Sequence, residues 1–356
     1  MMKGFYMKKE IKVALVGCGQ VANDHLKAWR KIKQAKAIAV SDLNETLAIK
    51  TAKLWRIPRY YISFSELIKK EKIDVVDICT PPHAHAALAI EAMGAGINVL
   101  IEKPLAMTVN DAEKIVGCKK RSGVEAGVIH NCLFDAPVLE ARSLVNRGLL
   151  GEVFNVEVEA LNTKDDPMAA NEHHWCHKLP GGRFGEMLAH PIYLIRHFLG
   201  EVKVDDVQVS KVSSYPWMRS DELFATLKVG NKLGRVYASF NSSRDAIYIS
   251  LYGKEGIIKM DLINSILTFL PRRKTSRFSK GSDSLKQAWQ IVKWTWKDVV
   301  KVASKRWMTG HDICIKLFAE SLINNKEPPI SVIDGLAVVK TLEEMCMRIV
   351  ELEERA

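Results

Sequence analysis

A glycine-rich segment near the start of the chain has the residue types and spacing of a phosphate-binding turn. The apolar run 11–16 precedes it, and a stretch compatible with a helix follows from Asn23. Gly17 permits a tight turn, Gly19 lets the backbone approach a pyrophosphate, and the small Ala22 lets helix and strand pack closely. The helix N-terminus would then offer N–H groups and a positive dipole to the phosphates. We therefore predict a dinucleotide site formed by Gly17, Gly19, Gln20, Val21 and Ala22.

An acidic residue at the end of the next predicted strand, 37–41, bears on which dinucleotide binds. Asp42 lies 20 residues after Ala22, where a carboxylate can accept hydrogen bonds from the adenosine ribose hydroxyls. The same charge would repel a 2′-phosphate, and no arginine directly follows it. We therefore expect NAD rather than NADP. The alternative is that Asp42 is an ordinary turn residue at a strand end.

A second pair of residues, Glu186 and His190, has a spacing suited to proton transfer. Because they are four residues apart after Pro180-Gly181-Gly182, a helix would place both side chains on one face. A carboxylate can hold an imidazole in one tautomer and stabilise its charged form. An imidazole held in this way can accept a proton from a hydroxyl group. The alternative is a structural histidine ahead of Pro191.

Strands alternate with helices through the first 130 residues. Buried-type strands are predicted at 75–79 and 98–101, and helices at 86–95 and 108–122. This alternation predicts a parallel, doubly wound sheet, in which ligands bind beyond the carboxyl ends of the strands. Two polar clusters follow those strand ends, Thr80-Pro81-Pro82-His83-Ala84-His85 and Glu102-Lys103-Pro104.

The glycine turn, Asp42 and the two polar clusters together resemble the Gfo/Idh/MocA family, which includes glucose–fructose oxidoreductase, inositol dehydrogenase and nucleotide-sugar dehydrogenases. The resemblance runs from about residue 10 to residue 352 and is least typical over 271–308. It implies an N-terminal NAD(P)-binding Rossmann domain, 1–130. It also implies a C-terminal α+β domain, 131–356, that binds substrate and carries catalysis on a large, mostly antiparallel open sheet.

The resemblance also implies roles for individual residues. Glu102 would contact the nicotinamide ribose region. Lys103, before a proline expected to be cis, would help to hold cofactor and substrate and point at the reacting carbon. An ammonium there stabilises a developing alkoxide and assists proton transfer; the alternative is a solvated surface lysine. Lys103 and His190 would act on one substrate beside the nicotinamide. The residues expected to line the cofactor site are Thr80, Pro81, His85 and Asn131.

The second half of the chain contains six predicted strands, several of which alternate apolar and polar residues as half-buried antiparallel strands do. In the family, an aspartate precedes the histidine by four residues. Here Glu186 takes its place, and the arm longer by one methylene changes where the carboxylate lies. The predicted strands are 153–160, 206–212, 223–229, 236–241, 247–252 and 256–261.

Histidines and a cysteine that precede the glycine-rich turn invite a metal interpretation, because zinc accepts both ligand types. The candidates all lie within five residues, which is too close together for an ordinary tetrahedral site, so we expect no metal. His174 and Trp175 are instead predicted to form walls of the substrate pocket. The candidate ligands are His173, His174, Cys176 and His177.

The composition is that of an ordinary globular protein, with 47% apolar and 26% charged residues. No apolar run approaches the ~20 residues that a membrane-spanning helix needs, and the first residues lack the features of a signal peptide. Seven cysteines without a CxxC pair argue against a disulfide framework. We therefore expect a cytoplasmic protein.

The basic charge is concentrated in residues 271–308, which contain 11 Lys or Arg against two Asp, a net +9 of the chain's +11. A basic amphipathic insertion near 280–308 is predicted, with a helix at 284–307 that carries Trp289 and Trp296 on its apolar face and lysines, including Lys305, beside it. We expect that face to pack on the protein's own sheet or on a partner subunit. The alternative is peripheral contact with an anionic membrane. We expect no nucleic-acid partner, because no recognised fold accompanies the charge.

Together these features predict an NAD-dependent oxidoreductase acting on a hydroxyl or carbonyl group of a sugar, polyol or nucleotide sugar. Carbon 3 of a UDP-linked amino sugar is one concrete option. Lys103, His190 and Glu186 would carry catalysis, and the C-terminal sheet would form a homodimer or homotetramer. In one alternative, transient oxidation enables elimination or glycoside cleavage and the hydride returns. In another, the chain is a non-catalytic regulatory subunit that senses the cofactor.

Overall fold

The computed structural model describes residues 10–273, 277–304 and 307–355. The chain divides into two compact units. The first comprises the residues up to Asn131 together with Thr309–Val339, and the second comprises Cys132–Met308 together with the residues from Lys340 onward. The segment Thr309–Val339, which the sequence boundary assigns to the C-terminal domain, therefore belongs to the first unit.

The first unit is built on a six-stranded sheet of order β3-β2-β1-β4-β5-β6 in which all pairs are parallel. The order reverses between β1 and β4, and such a switch point is where open α/β sheets bind ligands. The predicted doubly wound sheet is confirmed. Its elements are β1 Ile11–Val16, α1 Ala22–Arg30, β2 Ala35–Ser41, α2 Glu45–Trp55, β3 Arg59–Tyr61, α3 Phe64–Lys70, β4 Val75–Ile78, α4 His85–Gly94, β5 Asn98–Ile101, α5 Val109–Ser122 and β6 Ala126–Val128.

The second unit contains a seven-stranded sheet of order β13-β12-β11-β7-β10-β9-β8. Only the central pair β7–β10 is parallel and the other pairs are antiparallel, so the predicted mostly antiparallel sheet is also confirmed. Its elements are α6 Ala136–Asn146, β7 Val153–Thr163, α7 Arg183–Met187, α8 Ala189–Leu199, β8 Lys203–Ser210, β9 Glu222–Val229, β10 Lys232–Ser242, β11 Ala246–Gly253, β12 Gly256–Asp261, β13 Ile266–Pro271 and α9 Arg277–Ala303.

Alternation along the strands separates two faces of this sheet. Val156 and Val158 of β7 and Val236 of β10 are buried, and α8 packs against both strands on that side. The neighbouring residues Leu233 and Tyr237 of β10 are exposed on the other side. One face therefore forms the core of the unit and the other carries exposed side chains.

Two helices follow α9 along the chain, α10 Gly310–Ile323 and α11 Val332–Arg355. A capping box begins α10, in which Thr309 and Asp312 exchange hydrogen bonds with each other's backbone. Within the first unit α10 packs on α1, and the Lys31 ammonium lies 2.7 Å from Asp312. This contact explains why Thr309–Val339 belongs with the first sheet.

The helix predicted at 284–307 has different bounds, because α9 runs from Arg277 to Ala303. Lys305 lies outside the described residues, and Trp307 lies beyond the end of the helix. The expectation that its apolar face packs on the protein's own sheet is wrong for the residues on which it was based. Leu285, Trp289 and Trp296 are exposed, and it is the opposite face that contacts β13.

Candidate active site

The glycine turn lies against the end of strand β4. Gly17 has φ +92°, and a Cβ added there would come within 2.6 Å of the Cys79 carbonyl carbon and 2.7 Å of the Thr80 nitrogen. A Cβ added to Gly19 meets nothing within 4 Å, and Gly19 and Gln20 are both exposed. The turn is therefore tight on its inner side and approachable on its outer side. Val21 precedes α1 without any side-chain cap, which leaves the helix N-terminus suited to an anion.

The carboxylate of Asp42 ties the end of β2 to this turn. It accepts hydrogen bonds from the Cys18 N–H at 2.7 Å and the Asn44 N–H at 2.8 Å. A carboxylate has about four acceptor positions, so two bonds leave capacity for ribose hydroxyls. Asp42 is half-buried and lies beside the turn, and its contact with the adenosine ribose stays a prediction.

A histidine joins the two polar clusters at the strand ends. His85 is buried, and its Nδ1 and Nε2 lie 2.9 Å and 2.8 Å from the carbonyl oxygens of Pro104 and Thr80. The Lys103–Pro104 peptide bond is cis, as expected. The clusters after β4 and β5 are thus held together, with Lys103 half-buried between Glu102 and the cis proline.

The hydroxyl of Thr80 fits a site built for a further polar group. Among the described residues, Thr80 Oγ1 is one of a few buried side-chain atoms that lack a hydrogen-bond partner. It follows β4 directly, at the switch point where a dinucleotide binds in this architecture. Pro81 continues the same segment. Asn131 begins a short 3₁₀ turn, Asn131–Phe134, shortly after β6. The residues present therefore fit a nicotinamide dinucleotide.

Beneath these clusters lies a buried ionic network that the sequence interpretation missed. His25 Nδ1 is 2.9 Å from Asp77, and His25 Nε2 is 2.9 Å from Glu102. Trp29 Nε1 donates to Asp77 at 2.6 Å, and His311 Nε2 lies 3.5 Å from Glu102. Asp77 and His25 are fully buried. A lone acidic residue within the apolar strand 75–78 was the signal in the sequence.

The geometry sets the charges of this network. A ring whose two nitrogens both face carboxylates must donate from both, which requires the imidazolium form. Burial by itself lowers the pKa of His25, but Asp77 offsets this and the pKa lies well above its ordinary value. Burial likewise opposes ionisation of Glu102, yet His25 and His311 hold its pKa well below the ordinary value. Glu102 is therefore a fixed carboxylate that also accepts from the Lys103 N–H at 2.9 Å.

The second unit contains a cavity of about 190 Å³ between α7, α8 and the sheet. Its charged and titratable lining comes from Arg183, Glu186, His190 and Asp245, and its apolar walls include Val158, Ala160, Leu194 and Ile247. Two of the three catalytic candidates thus line one cavity.

Glu186 and His190 lie on successive short helices rather than on one continuous helix. The interruption falls at Leu188, because Pro191 has no N–H with which to continue the hydrogen-bond ladder to Met187. The i, i+4 argument for a shared helical face therefore holds only in part, although both side chains line the cavity.

Arg183 is a functional candidate that the sequence interpretation did not identify. Its guanidinium is buried, donates from Nε to Asp166 at 3.0 Å and pairs through Nη1 with Glu186. It also lies 5.1 Å above the Phe240 ring. Burial opposes the charged form, but Glu186 and Asp166 raise the pKa of Arg183. Glu186 is thereby fixed by a cation as well as placed beside the cavity.

The His190 ring is held by a buried hydroxyl. His190 Nδ1 lies 2.7 Å from Tyr193 Oη and 3.6 Å from Cys132 Sγ, and Tyr193 Oη accepts from the Cys132 N–H at 3.2 Å. Burial raises the pKa of Tyr193 well above its ordinary value, so this hydroxyl keeps its proton. The ring orientation is fixed through Nδ1.

His174 and Trp175 lie at the start of a 3₁₀ turn, Trp175–Lys178. Their rings are 5.1 Å apart, and His174 Nδ1 accepts from the Cys176 N–H at 3.4 Å. The neighbouring Cys176 and His177 side chains both contact the Met168 carbonyl oxygen. These contacts account for a group of residues that otherwise resembles a set of metal ligands.

Family models match most of both units. A model described as an oxidoreductase family with an NAD-binding Rossmann fold matches residues 11–130. A model of the GFO/IDH/MocA C-terminal domain matches residues 138–259. The chain belongs to the GFO/IDH/MocA oxidoreductase family. This member is an NAD-dependent oxidoreductase, so the expected enzyme class and cofactor are confirmed.

Relatives of this GFO/IDH/MocA protein match most of its length. An oxidoreductase of Formosa agariphila is 28% identical over 271 residues, 74% of this chain and 83% of its own. The myo-inositol 2-dehydrogenase of Thermotoga maritima is 22% identical over 97% of this chain and 99% of its own. The WlbA dehydrogenase of Bordetella pertussis, solved with NADH and UDP-GlcNAcA, has the same fold, with a TM-score of 0.79 at 18% identity and 96% of each chain covered.

Proposed function

We propose that this enzyme interconverts a secondary hydroxyl and a ketone on a sugar, polyol or nucleotide sugar. The observation that carries the proposal is the cavity that an imidazole, a guanidinium and two carboxylates line beside apolar walls. Hydroxylated rings need several fixed donors and acceptors together with an apolar surface. The names of the inositol dehydrogenase and WlbA relatives support this substrate class, and UDP-linked amino sugars are its most specific member.

NAD, when bound, supplies the hydride acceptor or donor. We assign its pyrophosphate to the glycine turn and its adenosine ribose to Asp42. Glu102 would hold the nicotinamide ribose region as an acceptor, because His25 and His311 keep its carboxylate ionised. The remaining proposed contacts are Thr80, Pro81, His85, Lys103 and Asn131.

Proton transfer is assigned to His190. In the oxidation direction Nδ1 would carry a proton and donate a hydrogen bond to Tyr193 Oη, which would leave Nε2 as the nitrogen that accepts the proton of the substrate hydroxyl. Lys103 would stabilise the developing alkoxide through its ammonium charge. Glu186, held by Arg183, would orient the substrate and support the charge on His190. His174 and Trp175 are proposed as substrate-pocket walls.

The proposal is tested by incubating the purified protein with NAD and a panel of nucleotide sugars, polyols and free sugars while reduced nicotinamide is followed by absorbance. Accumulation of NADH with one class supports a dehydrogenase. Product without NADH accumulation indicates redox-neutral elimination or glycoside cleavage. Binding of NAD without turnover on any compound indicates a regulatory subunit.

Variants test the residue assignments. Lys103→Ala and His190→Ala should each lower kcat by about a hundredfold or more, the usual contribution of a positioned acid–base group. Lys114→Ala is the matched control, because Lys114 is exposed and pairs with Asp111 on the surface. Full activity in either site variant would remove that residue from the mechanism, provided that its melting temperature matches the control.

The outer face of the second sheet is proposed as the contact between subunits. This face exposes Phe224, Leu233 and Tyr237, and Phe224 lies directly opposite Tyr237 in the pairing of β9 with β10. Light scattering should show a dimer or tetramer of the wild-type protein, and Phe224→Lys should convert this oligomer to a smaller species.

A cytoplasmic location is also proposed. Among the described residues, no helix is both long and apolar enough to span a bilayer.

A further inference from the structure

Helix α9 carries its apolar side chains away from the unit to which it belongs. Leu285 is 74% exposed, and Trp289 and Trp296 are each 68% exposed. Val292 and Val299, which share this face, are also exposed. An isolated exposed apolar residue needs no explanation, but a contiguous stripe with two tryptophans marks an interaction surface.

The face of α9 that packs on its own unit is largely polar. Gln290 accepts from the Phe269 N–H at 2.6 Å and donates to the Phe269 carbonyl at 3.1 Å. Asp283 pairs with Arg273 at 2.9 Å, and Trp294 is the buried apolar residue on this side. Helix α9 therefore packs on its own unit without burying the apolar stripe.

Positive charge lies beside the stripe. Lys286, Lys293 and Lys297 are exposed and lie on one flank of the helix by its 3.6-residue period. The acidic residues of α9 are Asp283 and Asp298, and both are half-buried on the seated side. The outward surface of α9 is therefore apolar in the middle and cationic along one side.

We infer that this stripe docks the protein on a bilayer that contains anionic phospholipid. A basic amphipathic helix with tryptophans lies in the plane of such a surface, with its apolar face in the headgroup and acyl boundary. Tryptophan is favoured at that depth, and each nearby lysine gains about fivefold in partitioning from the negative surface potential. The inference rests on α9 alone and does not depend on the proposed substrate.

Charge complementarity favours lipid over a second copy of this chain. Two α9 stripes in contact would bring their lysines together without carboxylates of α9 to balance them, because Asp283 and Asp298 lie on the inward side of the helix. An anionic headgroup layer supplies that counter-charge. It also has room for the tryptophan side chains.

The test is co-sedimentation of the full-length protein with vesicles. The wild type should bind vesicles of mixed phosphatidylcholine and phosphatidylglycerol and remain in the supernatant with phosphatidylcholine alone. Raising the ionic strength from about 0.1 M to about 1 M shortens the screening length from ~10 Å to ~3 Å and should weaken binding.

Two double variants separate the electrostatic contribution of the lysines from the hydrophobic contribution of the tryptophans. Lys286→Gln with Lys293→Gln should lower the partition coefficient about 30-fold, and Trp289→Gln with Trp296→Gln by about a hundredfold. The control, Lys33→Gln with Lys36→Gln, removes the same charge from exposed positions on the first unit and should bind as the wild type. All these positions are exposed, so melting temperatures should be unchanged.

Three results would overturn the inference. One is a wild type that stays in the supernatant with anionic vesicles. The second is equal binding by the α9 variants and the control. The third is a concentration-dependent dimer that the tryptophan variant abolishes in the absence of vesicle binding, which would assign the stripe to a second copy of the chain.

Discussion

Replacing His25 with alanine should destabilise the protein by more than the loss of one hydrogen bond. The imidazolium lies between Asp77 and Glu102, 2.9 Å from each, and its side chain and that of Asp77 are fully buried. Alanine removes the cation and leaves both carboxylates in a low-dielectric interior. An uncompensated buried charge of this kind costs about 3–5 kcal/mol.

A milder variant in the same network provides a comparison for the loss in the free energy of unfolding. Trp29→Phe removes the 2.6 Å hydrogen bond from Trp29 Nε1 to Asp77. It keeps an aromatic side chain at position 29 and leaves the His25 cation in place. Loss of one hydrogen bond to a charged group costs about 1.5–3 kcal/mol. His25→Ala should therefore lower the free energy of unfolding by about 3–5 kcal/mol, and Trp29→Phe should lower it by less.

The pH dependence of this difference has a definite sign. Because the pKa of His25 is raised above 6.5 in the folded state, its contribution is complete below about pH 6.5 and is lost as the pH rises through the folded value. Because the pKa of Glu102 is lowered below 4.5, its contribution is present above about pH 4.5 and is lost as the pH falls through the folded value. The difference between wild type and His25→Ala should be largest between these limits and should shrink toward alkaline pH.

Urea denaturation followed by circular dichroism, at about pH 6 and about pH 9, measures both quantities. A loss below about 1 kcal/mol at the lower pH would refute the assignment of a buried imidazolium, since that is the size of an ordinary neutral hydrogen bond. A loss that is the same at the two pH values would refute the charged state of the ring.

Three further variants address the two sites. Gly17→Ala forces a side chain onto φ +92° and into contact with Cys79 at 2.6 Å, so we expect a loss of about 2 kcal/mol or more in stability, measured by urea denaturation, and weaker NAD binding by calorimetry. Asp42→Ala should raise the Kd for NAD about tenfold, since it removes charge-assisted hydrogen bonds. It should also lower the ratio of the Kd for NADP to the Kd for NAD, measured by the same titration. An unchanged ratio would contradict the assignment of NAD as the preferred cofactor. Arg183→Gln leaves Glu186 and a second carboxylate without their cation and should lower the free energy of unfolding by about 3–5 kcal/mol; a melting temperature equal to that of the wild type would disprove the pairing.

Local patterns predicted the first sheet well, because its signals are short-range. The glycine turn, the apolar strands and the alternation with helices are each readable within about 20 residues. His25 was not identified because its partners lie 52 and 77 residues away in the sequence. An imidazole within a helix gives no sign of carboxylates that only the sheet brings to it.

The second unit shows a similar limit at Arg183 and α9. Arg183 precedes Glu186 by three residues and pairs with it, but the prediction was based only on the spacing from Glu186 to His190. That spacing also did not predict the helix break at Leu188, which Pro191 causes. For α9, periodicity identified an apolar face but gave no information on what covers it. Packing against β13 is made by Gln290, a residue type that hydrophobic patterns ignore.

Gln290 also has a consequence for solubility. Strand β13 lies at one edge of its sheet, and an open edge is a template on which another chain can add a strand. The glutamine amide offers Phe269 one acceptor and one donor, the pair that a neighbouring strand would offer. Helix α9 thus covers this edge and prevents a strand of another molecule from pairing with β13. A protein from which α9 had been deleted would be expected to aggregate through that edge.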